Sequence, residues 1–206
     1  PDTQLNVMIV PGIRGVSVAG LNDVVRGEET LLAGWLQQPT DCEAVFCLPG
    51  THSKWIVARE GQVNQLTTFM TGELFELMRT RSILAPLIDS QAVADSKSDI
   101  FYKGLTLAQS AAGLLHQMFA IRAGALTGQF AKSDILTLLS GVLVGAECLA
   151  VKSLVQNRSV TLISSGDLKQ TYQHAFEHFG FVFNVADSEQ AAQKGLFSIF
   201  TQIQRG

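Results

Sequence analysis

The sequence predicts an α/β fold in which helices cover a mixed β-sheet, and two observations support this. Hydrophobic residues make up 47% of the 206 residues and charged residues 16%, so the chain can bury a large core. Three short apolar segments follow one another across tight turns, and strand and helix patterns alternate at the end of the chain. Meandering strands followed by alternating β and α units are typical of a mixed sheet covered by helices.

The first forty residues are predicted to hold one strand and one helix. An apolar run at 7–10 ends at a Pro-Gly pair, which predicts a strand and a turn. The segment 14–21 contains two glycines and is predicted to be irregular. Apolar residues at helical spacing predict a helix over 26–38. Glu28 and Glu29 stand in its first turn, where acidic side chains suit the helix dipole.

The remainder is predicted to be strands first, then helices, then alternating units. Thr71 is suited to cap a helix that runs to about residue 83, and 85–97 is predicted to be a loop. The other predicted elements are strands at 44–48, 54–59, 62–68, 160–163 and 181–185, and helices at 98–122, 132–155, 167–179 and 188–204.

Charge and hydropathy argue against nucleic acid and membranes as partners. The net charge is -3, and Lys and Arg do not cluster. The most apolar stretch, 135–151, contains polar residues and is short for a membrane span, so it is predicted to be a buried helix. Gly141 and Gly145 lie four residues apart within it, a spacing that permits close helix packing.

The cysteines and histidines do not have the spacing of a metal site. Cys42, Cys47 and Cys148 are an odd, unpatterned set, which predicts reduced thiols in a cytoplasmic protein. His174 and His178 stand four residues apart, but no third ligand is near them in sequence. A surface helix is therefore the preferred interpretation of this pair.

The most informative turn is Gly50-Thr51, which connects two apolar strand segments. A glycine lets the backbone approach a ligand closely, because no Cβ stands in the way. The backbone N–H groups of such a turn, with the Thr51 hydroxyl and the Lys54 ammonium, would suit a phosphate group. An ordinary hairpin uses glycine as well, so that interpretation also remains open.

Four motifs spread along nearly the whole chain support a resemblance to a known family. They are Arg26-Gly27-Glu28-Glu29, Gly50-Thr51-His52-Ser53-Lys54-Trp55, Met70-Thr71-Gly72-Glu73-Leu74, and Ser140-Gly141 with Gly145-Ala146-Glu147. In these motifs the chain resembles the C-terminal part of the 2-keto-3-deoxygalactonate kinases, which are sugar kinases of the actin, hexokinase and Hsp70 superfamily. The resemblance implies a ribonuclease H-like, actin-like ATPase domain. It also implies ATP-dependent phosphorylation of the 6-hydroxyl of the sugar acid, with Mg²⁺ accompanying the nucleotide.

The same resemblance implies a division of the chain into two parts. Residues 1–40 would be the end of an N-terminal lobe with an interdomain helix, and 41–206 would be the C-terminal lobe. These kinases begin with an Asp-x-Gly-Ser/Thr turn, and this sequence has none. The N-terminal phosphate-loop domain is therefore expected to be absent from this chain. Mg²⁺ ligands would come mainly from that domain and from the nucleotide, and no residue of this chain is assigned as a metal ligand.

For catalysis, the resemblance implies a carboxylate that accepts the proton of the acceptor hydroxyl. Glu28 is the first candidate for this base, Glu29 the alternative and Asp23 a third. The helix-dipole interpretation of the two glutamates remains open beside this role.

For the nucleotide, the resemblance assigns Gly50, Thr51 and Lys54 to a second phosphate loop. The strand-to-helix turn formed by Ser164, Ser165 and Gly166 resembles the adenosine turn of the superfamily. A simple helix start, capped by Ser165, would use the same residues.

For the sugar acid, a cation or a helix N-terminus is needed at its carboxylate. Arg26 is the best candidate and Arg14 a weaker one, although a solvated surface role also suits an arginine there. Thr71 and Glu73 are assigned to substrate binding as part of a helix start that faces the cleft.

Two rival interpretations remain beside this kinase. One is a different sugar kinase of the same superfamily, which acts for example on an amino sugar. The other is a non-catalytic, actin-like module that binds a nucleotide or a sugar. For either kinase the partners are ATP and a small sugar, and a homo-oligomer is left open.

Overall fold

A computed structural model describes residues 9–36 and 43–205 of the chain. The strands in these ranges are β1 (Ile13–Val16), β2 (Asn22–Val25), β3 (Ala44–Leu48), β4 (Ser53–Arg59), β5 (Gln62–Phe69), β6 (Val160–Ile163) and β7 (Phe183–Ala186). The helices are α1 (Glu29–Leu36), α2 (Thr71–Arg81), α3 (Asp99–Ala108), α4 (Gly113–Leu126), α5 (Ile135–Ala150), α6 (Lys152–Val155), α7 (Gly166–Phe179) and α8 (Ser188–Arg205), and a 3₁₀ helix spans Ala85–Leu87.

Within the described residues, five strands form one mixed sheet in the order β5-β4-β3-β6-β7. Tight turns connect β3, β4 and β5, which therefore pair antiparallel. β6 is parallel to β3 and β7 is parallel to β6, because helices connect these strands. The predicted mixed sheet of three meandering strands followed by β and α units is confirmed, as are the positions of all five strands to within two residues at either end.

Strand β4 shows how the sheet contributes to a core on each face. Trp55 and Val57 point to one side, against Phe101 and Phe176 from the helices. Ile56 and Ala58 point to the other side, towards α1 and α8. A further cluster lies between the helices of the middle segment. Among the described residues, no helix combines the length and the apolarity that crossing a membrane requires.

Helices α3 and α5 cross with their backbones in contact, as the glycine spacing in α5 predicts. A Cβ on Gly141 would lie 2.3 Å from the carbonyl oxygen of Phe101 and 2.9 Å from the Cα of Gly104. A Cβ on Gly104 would in turn lie 2.6 Å from the carbonyl oxygen of Leu138. The two glycines therefore allow a close crossing that no larger residue fits.

We expect the substitution Gly141→Ala to destabilise the fold, although alanine is the better helix former. Helix propensity alone predicts a gain of about 0.5–1 kcal/mol. The clash with backbone atoms predicts a loss of about 1–3 kcal/mol, or a fall in Tm of roughly 2–12 °C. Thermal unfolding measures the sign directly. The control is Thr106→Ala on the exposed side of α3. An unchanged or raised Tm for Gly141→Ala would contradict the close crossing.

The N-terminal segment differs from the sequence-based prediction. Residues 7 and 8 of the predicted strand lie outside the described residues, while Ile9 and Val10 are not in a strand. The segment predicted to be irregular instead contains β1 and the turn into β2, which pair as an antiparallel hairpin. This hairpin is held by tertiary contacts: Thr68 on β5 donates its backbone N–H and its hydroxyl to the Asp23 carboxylate. Such contacts are not visible in a local pattern.

The helix boundaries also need correction. The predicted helix 98–122 is two helices, because α3 ends at Ala108 and Gly113, with a positive φ of +78°, begins α4. The predicted helix 132–155 divides at Val151 into α5 and α6. Thr71 is the first residue of α2, and the capping position belongs to Met70. The end of the helix predicted over 26–38 lies outside the described residues beyond Leu36.

Two of the three cysteines are described, and both are free thiols in the core. Cys47 and Cys148 are fully buried. Burial raises the pKa of both thiols well above the ordinary value, and the neighbouring Glu147 carboxylate adds to the effect. Both are therefore protonated and unreactive at neutral pH. Cys42 lies outside the described residues.

Candidate active site

The Gly50-Thr51 turn and the first turn of α2 are in direct contact. The backbone N–H of Glu73 donates to the carbonyl oxygen of Thr51 at 2.9 Å, so the turn caps one of the free amides at the start of α2. Glu73 Oε2 also lies 2.5 Å from Nε2 of His52. A Cβ on Gly72 would lie 2.5 Å from the carbonyl oxygen of Gly50. The position of the turn therefore depends on that of α2.

A cavity of about 330 Å³ opens beside this turn. Its walls come from the turn, from α2, from the loop before α3, and from α5 and α7. Phe75, Leu136, Leu143 and Val144 make its interior apolar, and Asp167 lies at the side formed by α7. A second cavity of about 320 Å³ shares lining residues with the first, so that the two form one cleft. The shared residues are Val93, Ala94, Asp167 and Thr171.

The second strand-to-helix turn reaches the same cleft. Gly166 begins α7 with a φ of +58°, a conformation that favours glycine, and the next residue, Asp167, lines the cleft. Among the described residues, and apart from the adjoining backbone, no atom lies within 4 Å of a Cβ built on Gly166 or on Gly50, so open space adjoins the backbone at both turns. An apolar cleft with exposed backbone at each turn fits a nucleotide, whose base is flat and whose phosphates bind amides.

The two serines of this second turn are engaged within the protein. The backbone N–H of Ser164 donates to the carbonyl oxygen of Ala186, and the residue is buried. Ser165 is the capping residue of α7 by position, but its hydroxyl makes no capping bond and instead accepts from the Ser188 hydroxyl at 3.0 Å. The side-chain cap expected of Ser165 is therefore not formed.

Lys54 connects the Gly50-Thr51 turn to the start of α1. Its side chain is only 6% exposed, and Nζ donates to the carbonyl oxygen of His52 at 2.7 Å. The same ammonium lies 3.5 Å from Oε1 of Glu28. Glu28 Oε2 is shielded from solvent and has no hydrogen-bond partner among the described residues. The structure thus brings Glu28 to the turn and leaves one of its carboxylate oxygens unpaired.

The other residues before α1 have different surroundings. Glu29 is buried, and its Oε2 accepts from the backbone N–H of Gly27 at 2.5 Å, which stabilises the start of the helix. Asp23 holds the β1–β2 hairpin to β5. The side chains of Arg26 and Arg14 are exposed and do not line the cleft.

A buried carboxylate on α5 connects the elements around the cleft. Glu147 Oε1 accepts from Nε1 of Trp55 at 2.8 Å, and Oε2 accepts from the hydroxyl of Tyr172 at 2.9 Å and from the hydroxyl of Thr71. The Tyr172 hydroxyl also lies 2.8 Å from the hydroxyl of Ser53. Burial raises the pKa of Glu147, although hydrogen bonding with Thr71, Trp55, Tyr172 and Ser53 acts in the opposite direction.

Comparison with known proteins assigns the chain to a family. The model of the 2-keto-3-deoxy-galactonokinase family matches residues 2–199. The chain belongs to this family. A 2-dehydro-3-deoxygalactonokinase of Escherichia coli K12 is 32% identical over 195 residues, which cover 94% of this chain and 65% of that protein. A probable 2-dehydro-3-deoxygalactonokinase of Rhizobium meliloti is also 32% identical, over 200 residues that cover 95% of this chain and 64% of that protein.

A solved structure supports the same assignment. The crystal structure of a candidate 2-dehydro-3-deoxygalactonokinase from Sinorhizobium meliloti matches with a TM-score of 0.85 at 31% identity. The match covers 94% of this chain and 64% of that one. The chain therefore spans just under two thirds of the length of the 2-dehydro-3-deoxygalactonokinase relatives that it matches.

The sequence patterns do not predict the contacts of Glu147. A glutamate within the apolar run 135–151 was the available signal, because a carboxylate is rarely buried without partners. Its partners come from residues 53–71 and from α7, far away in sequence, and no local pattern indicates them. Trp55, Thr71 and Tyr172 belong to three separate elements.

The histidine pair on α7 lies outside this site. His174 Nδ1 is 3.1 Å from the Ser96 hydroxyl, and His178 Nε2 is 3.4 Å from Nε2 of Gln109. Both rings pack against Tyr102. In the described part of the chain, no three His, Cys, Asp or Glu side chains are grouped so that they could hold a metal ion.

Proposed function

We propose that the protein to which this chain belongs phosphorylates 2-keto-3-deoxygalactonate, with ATP as the phosphoryl donor and the 6-hydroxyl as the acceptor. One observation carries the proposal beyond family membership. Open backbone at Gly50 and at Gly166 adjoins one apolar cleft, and Lys54 connects Glu28 to the first of these turns. The carboxylate proposed for the acceptor therefore lies beside the strand that leaves the nucleotide turn, while neither Glu28 nor Lys54 lines the cleft itself.

The strand order supports the assignment to the ribonuclease H-like, actin-like ATPase folds. Three antiparallel strands are followed by two parallel ones, and the turns that adjoin the cleft follow β3 and β6 at the middle of the sheet. We assign residues 41–206 to the C-terminal lobe of such a kinase and residues 1–40 to the end of the N-terminal lobe. The missing third of the relatives' length leaves room for the first phosphate loop.

In this proposal the two turns bind ATP mainly through the backbone. The amides at Gly50 and Thr51, with the Thr51 hydroxyl, hold the terminal phosphates, and the turn at Ser164, Ser165 and Gly166 lies against the adenosine. Lys54 serves the phosphate loop indirectly, because its ammonium is engaged by the His52 carbonyl and Glu28. Mg²⁺ would accompany the triphosphate and reduce its charge, with the nucleotide and the missing lobe as its main ligands.

The described residues suggest one role for each of the two glutamates. Glu28 accepts the proton of the 6-hydroxyl while the oxygen attacks the γ-phosphoryl group, and ADP is the leaving group. Glu29 holds the start of α1, since its carboxylate is committed to the Gly27 amide. Lys54 orients the Glu28 carboxylate through Oε1, and Oε2, which has no hydrogen-bond partner among the described residues, is the oxygen that we assign to the proton.

Of the residues assigned to the sugar acid, Thr71 lines the apolar cleft, whereas Arg26 and Glu73 do not. Arg26 is exposed two residues before Glu28, where it can meet the carboxylate of a substrate held against the base. Thr71 and Glu73 act on the substrate through the turn, because their side chains are bonded to Glu147 and His52. The free thiols of the two described cysteines support a cytoplasmic location.

A coupled assay of ATP consumption on the full-length protein tests this function. We expect turnover with 2-keto-3-deoxygalactonate. Neutral sugars of the same length should not be turned over, because they have no carboxylate for Arg26 to bind. Turnover with an amino sugar and not with the sugar acid would indicate another kinase of the superfamily. ATP binding without turnover on any acceptor would indicate the non-catalytic module.

A further inference from the structure

Glu147 lies between the elements that carry the two proposed nucleotide turns, namely α2, β4 and α7. Thr71 is the first residue of α2, and the next residue of that helix touches the carbonyl oxygen of Gly50. Trp55 is on β4, four residues after Thr51. Tyr172 is on α7, which begins at the second turn. One carboxylate therefore accepts hydrogen bonds from all three elements that carry the turns.

The direction of these bonds follows from the number of protons available. A tyrosine hydroxyl has one proton, and in this arrangement it goes to Glu147 Oε2 at 2.9 Å. The Tyr172 oxygen must then accept the proton of the Ser53 hydroxyl at 2.8 Å. Ser53 is fully buried at the start of β4, directly after the turn. A chain of hydrogen bonds thus runs from the turn, through Tyr172, to Glu147.

We propose that Glu147 is a positioning residue that holds the Gly50-Thr51 turn and helix α7 in one fixed arrangement, so that ATP meets a cleft already shaped for it. The inference rests on the proposed kinase function. Glu147 itself does not line the cleft, whereas Thr71 and Tyr172 do. It therefore acts through these two side chains and has no contact of its own with the nucleotide.

A carboxylate suits this role better than the residues that could replace it. It accepts bonds at both oxygens and donates none when ionised, which matches three incoming donors. A glutamine would turn an N–H₂ group towards at least one of these donors. A leucine would restore the apolar core but would leave the Trp55, Thr71 and Tyr172 donors without an acceptor.

The test measures ATP affinity of the full-length protein directly, with a non-hydrolysable ATP analogue, and compares single hydroxyl deletions. Tyr172→Phe and Thr71→Val each remove one donor to Glu147 and keep the size of the side chain. We expect each to raise the Kd of the analogue about 3- to 30-fold, which is part of what a hydrogen bond to a charged group contributes, because the lost bond acts on ATP only through the turn. In Tyr172→Phe, which changes no residue assigned to the sugar acid, the KM of the sugar acid should stay within about twofold of the wild-type value.

Two matched controls accompany these variants. Tyr102→Phe removes a phenol hydroxyl from the same α/β core, where it makes no hydrogen bond to the described residues, and should leave the Kd unchanged. Thr71→Ser keeps the hydroxyl and should restore most of the affinity that Thr71→Val loses. A purely structural role would lower Tm in Tyr172→Phe and leave the Kd at the wild-type value, which would overturn the inference.

The double variant separates a shared network from independent effects. If Tyr172 and Thr71 act through the same carboxylate, the double variant should raise the Kd by clearly less than the product of the two single effects. A full product would overturn the inference. Failure of the wild-type protein to bind the analogue would remove the proposed function and this inference with it, whereas normal binding by both single variants would remove the inference alone.

Discussion

The Glu28→Gln variant is expected to lose about 10²–10⁴-fold in kcat, the usual contribution of a general base. The amide is nearly the same size as the carboxylate, so the contact with Lys54 and the start of α1 should persist. It cannot accept the proton of the 6-hydroxyl, however. The KM for ATP should change little, because Glu28 is placed at the acceptor side of the turn. Steady-state kinetics on the full-length protein with both substrates varied measures the two effects separately.

Glu29→Gln is the matched control for this prediction. It alters the neighbouring carboxylate, and its side-chain oxygen can still accept from the Gly27 amide. We expect kcat within a few-fold of wild type and at most a small fall in Tm. Equal losses in the two variants would show that the pair acts only in holding the helix start. A normal kcat in Glu28→Gln would exclude Glu28 as the base and return Asp23 to consideration.

The features that the sequence predicts well are local ones. The strands β3, β4 and β5 are predicted by apolar segments separated by tight turns. The turns at Gly50 and Gly166 are predicted by the glycines themselves. Glycine has a recognisable meaning at such positions because few other residues fit them. The close crossing of α3 and α5 is likewise predicted by the four-residue spacing of Gly141 and Gly145.

The features that the sequence did not predict depend on contacts between distant segments. The β1–β2 hairpin is fastened by Asp23 to Thr68, forty-five positions away. The carboxylate of Glu147 accepts from Trp55, ninety-two positions away. Lys54, which a phosphate-loop pattern would direct at the nucleotide, points instead to Glu28. Periodicity and turn chemistry identify elements and exposed backbone, but side-chain partners are set by how those elements pack.

The Gly72→Ala variant should weaken ATP use at least about 10-fold, because it acts on the turn through the backbone. A Cβ at this position would lie 2.5 Å from the carbonyl oxygen of Gly50 and 2.8 Å from the Cα of Thr51. Neither atom belongs to a side chain that could rotate away, so the turn or the start of α2 must move. A shift of about 1 Å in a substrate-positioning group costs roughly 100-fold in rate at the upper end.

Comparing the change in Tm with the change in the KM for ATP makes the Gly72→Ala result informative. Alanine favours the helix by about 0.5–1 kcal/mol, so a modest change in Tm is compatible with a large rise in the KM for ATP. Thr80→Ala, on the exposed face of the same helix and outside the cleft lining, controls for changes in α2 that do not reach the turn and should leave both KM values unaltered. If Gly72→Ala binds and uses ATP normally, the turn tolerates displacement from α2. The phosphate would then have to bind elsewhere than at Gly50 and Thr51.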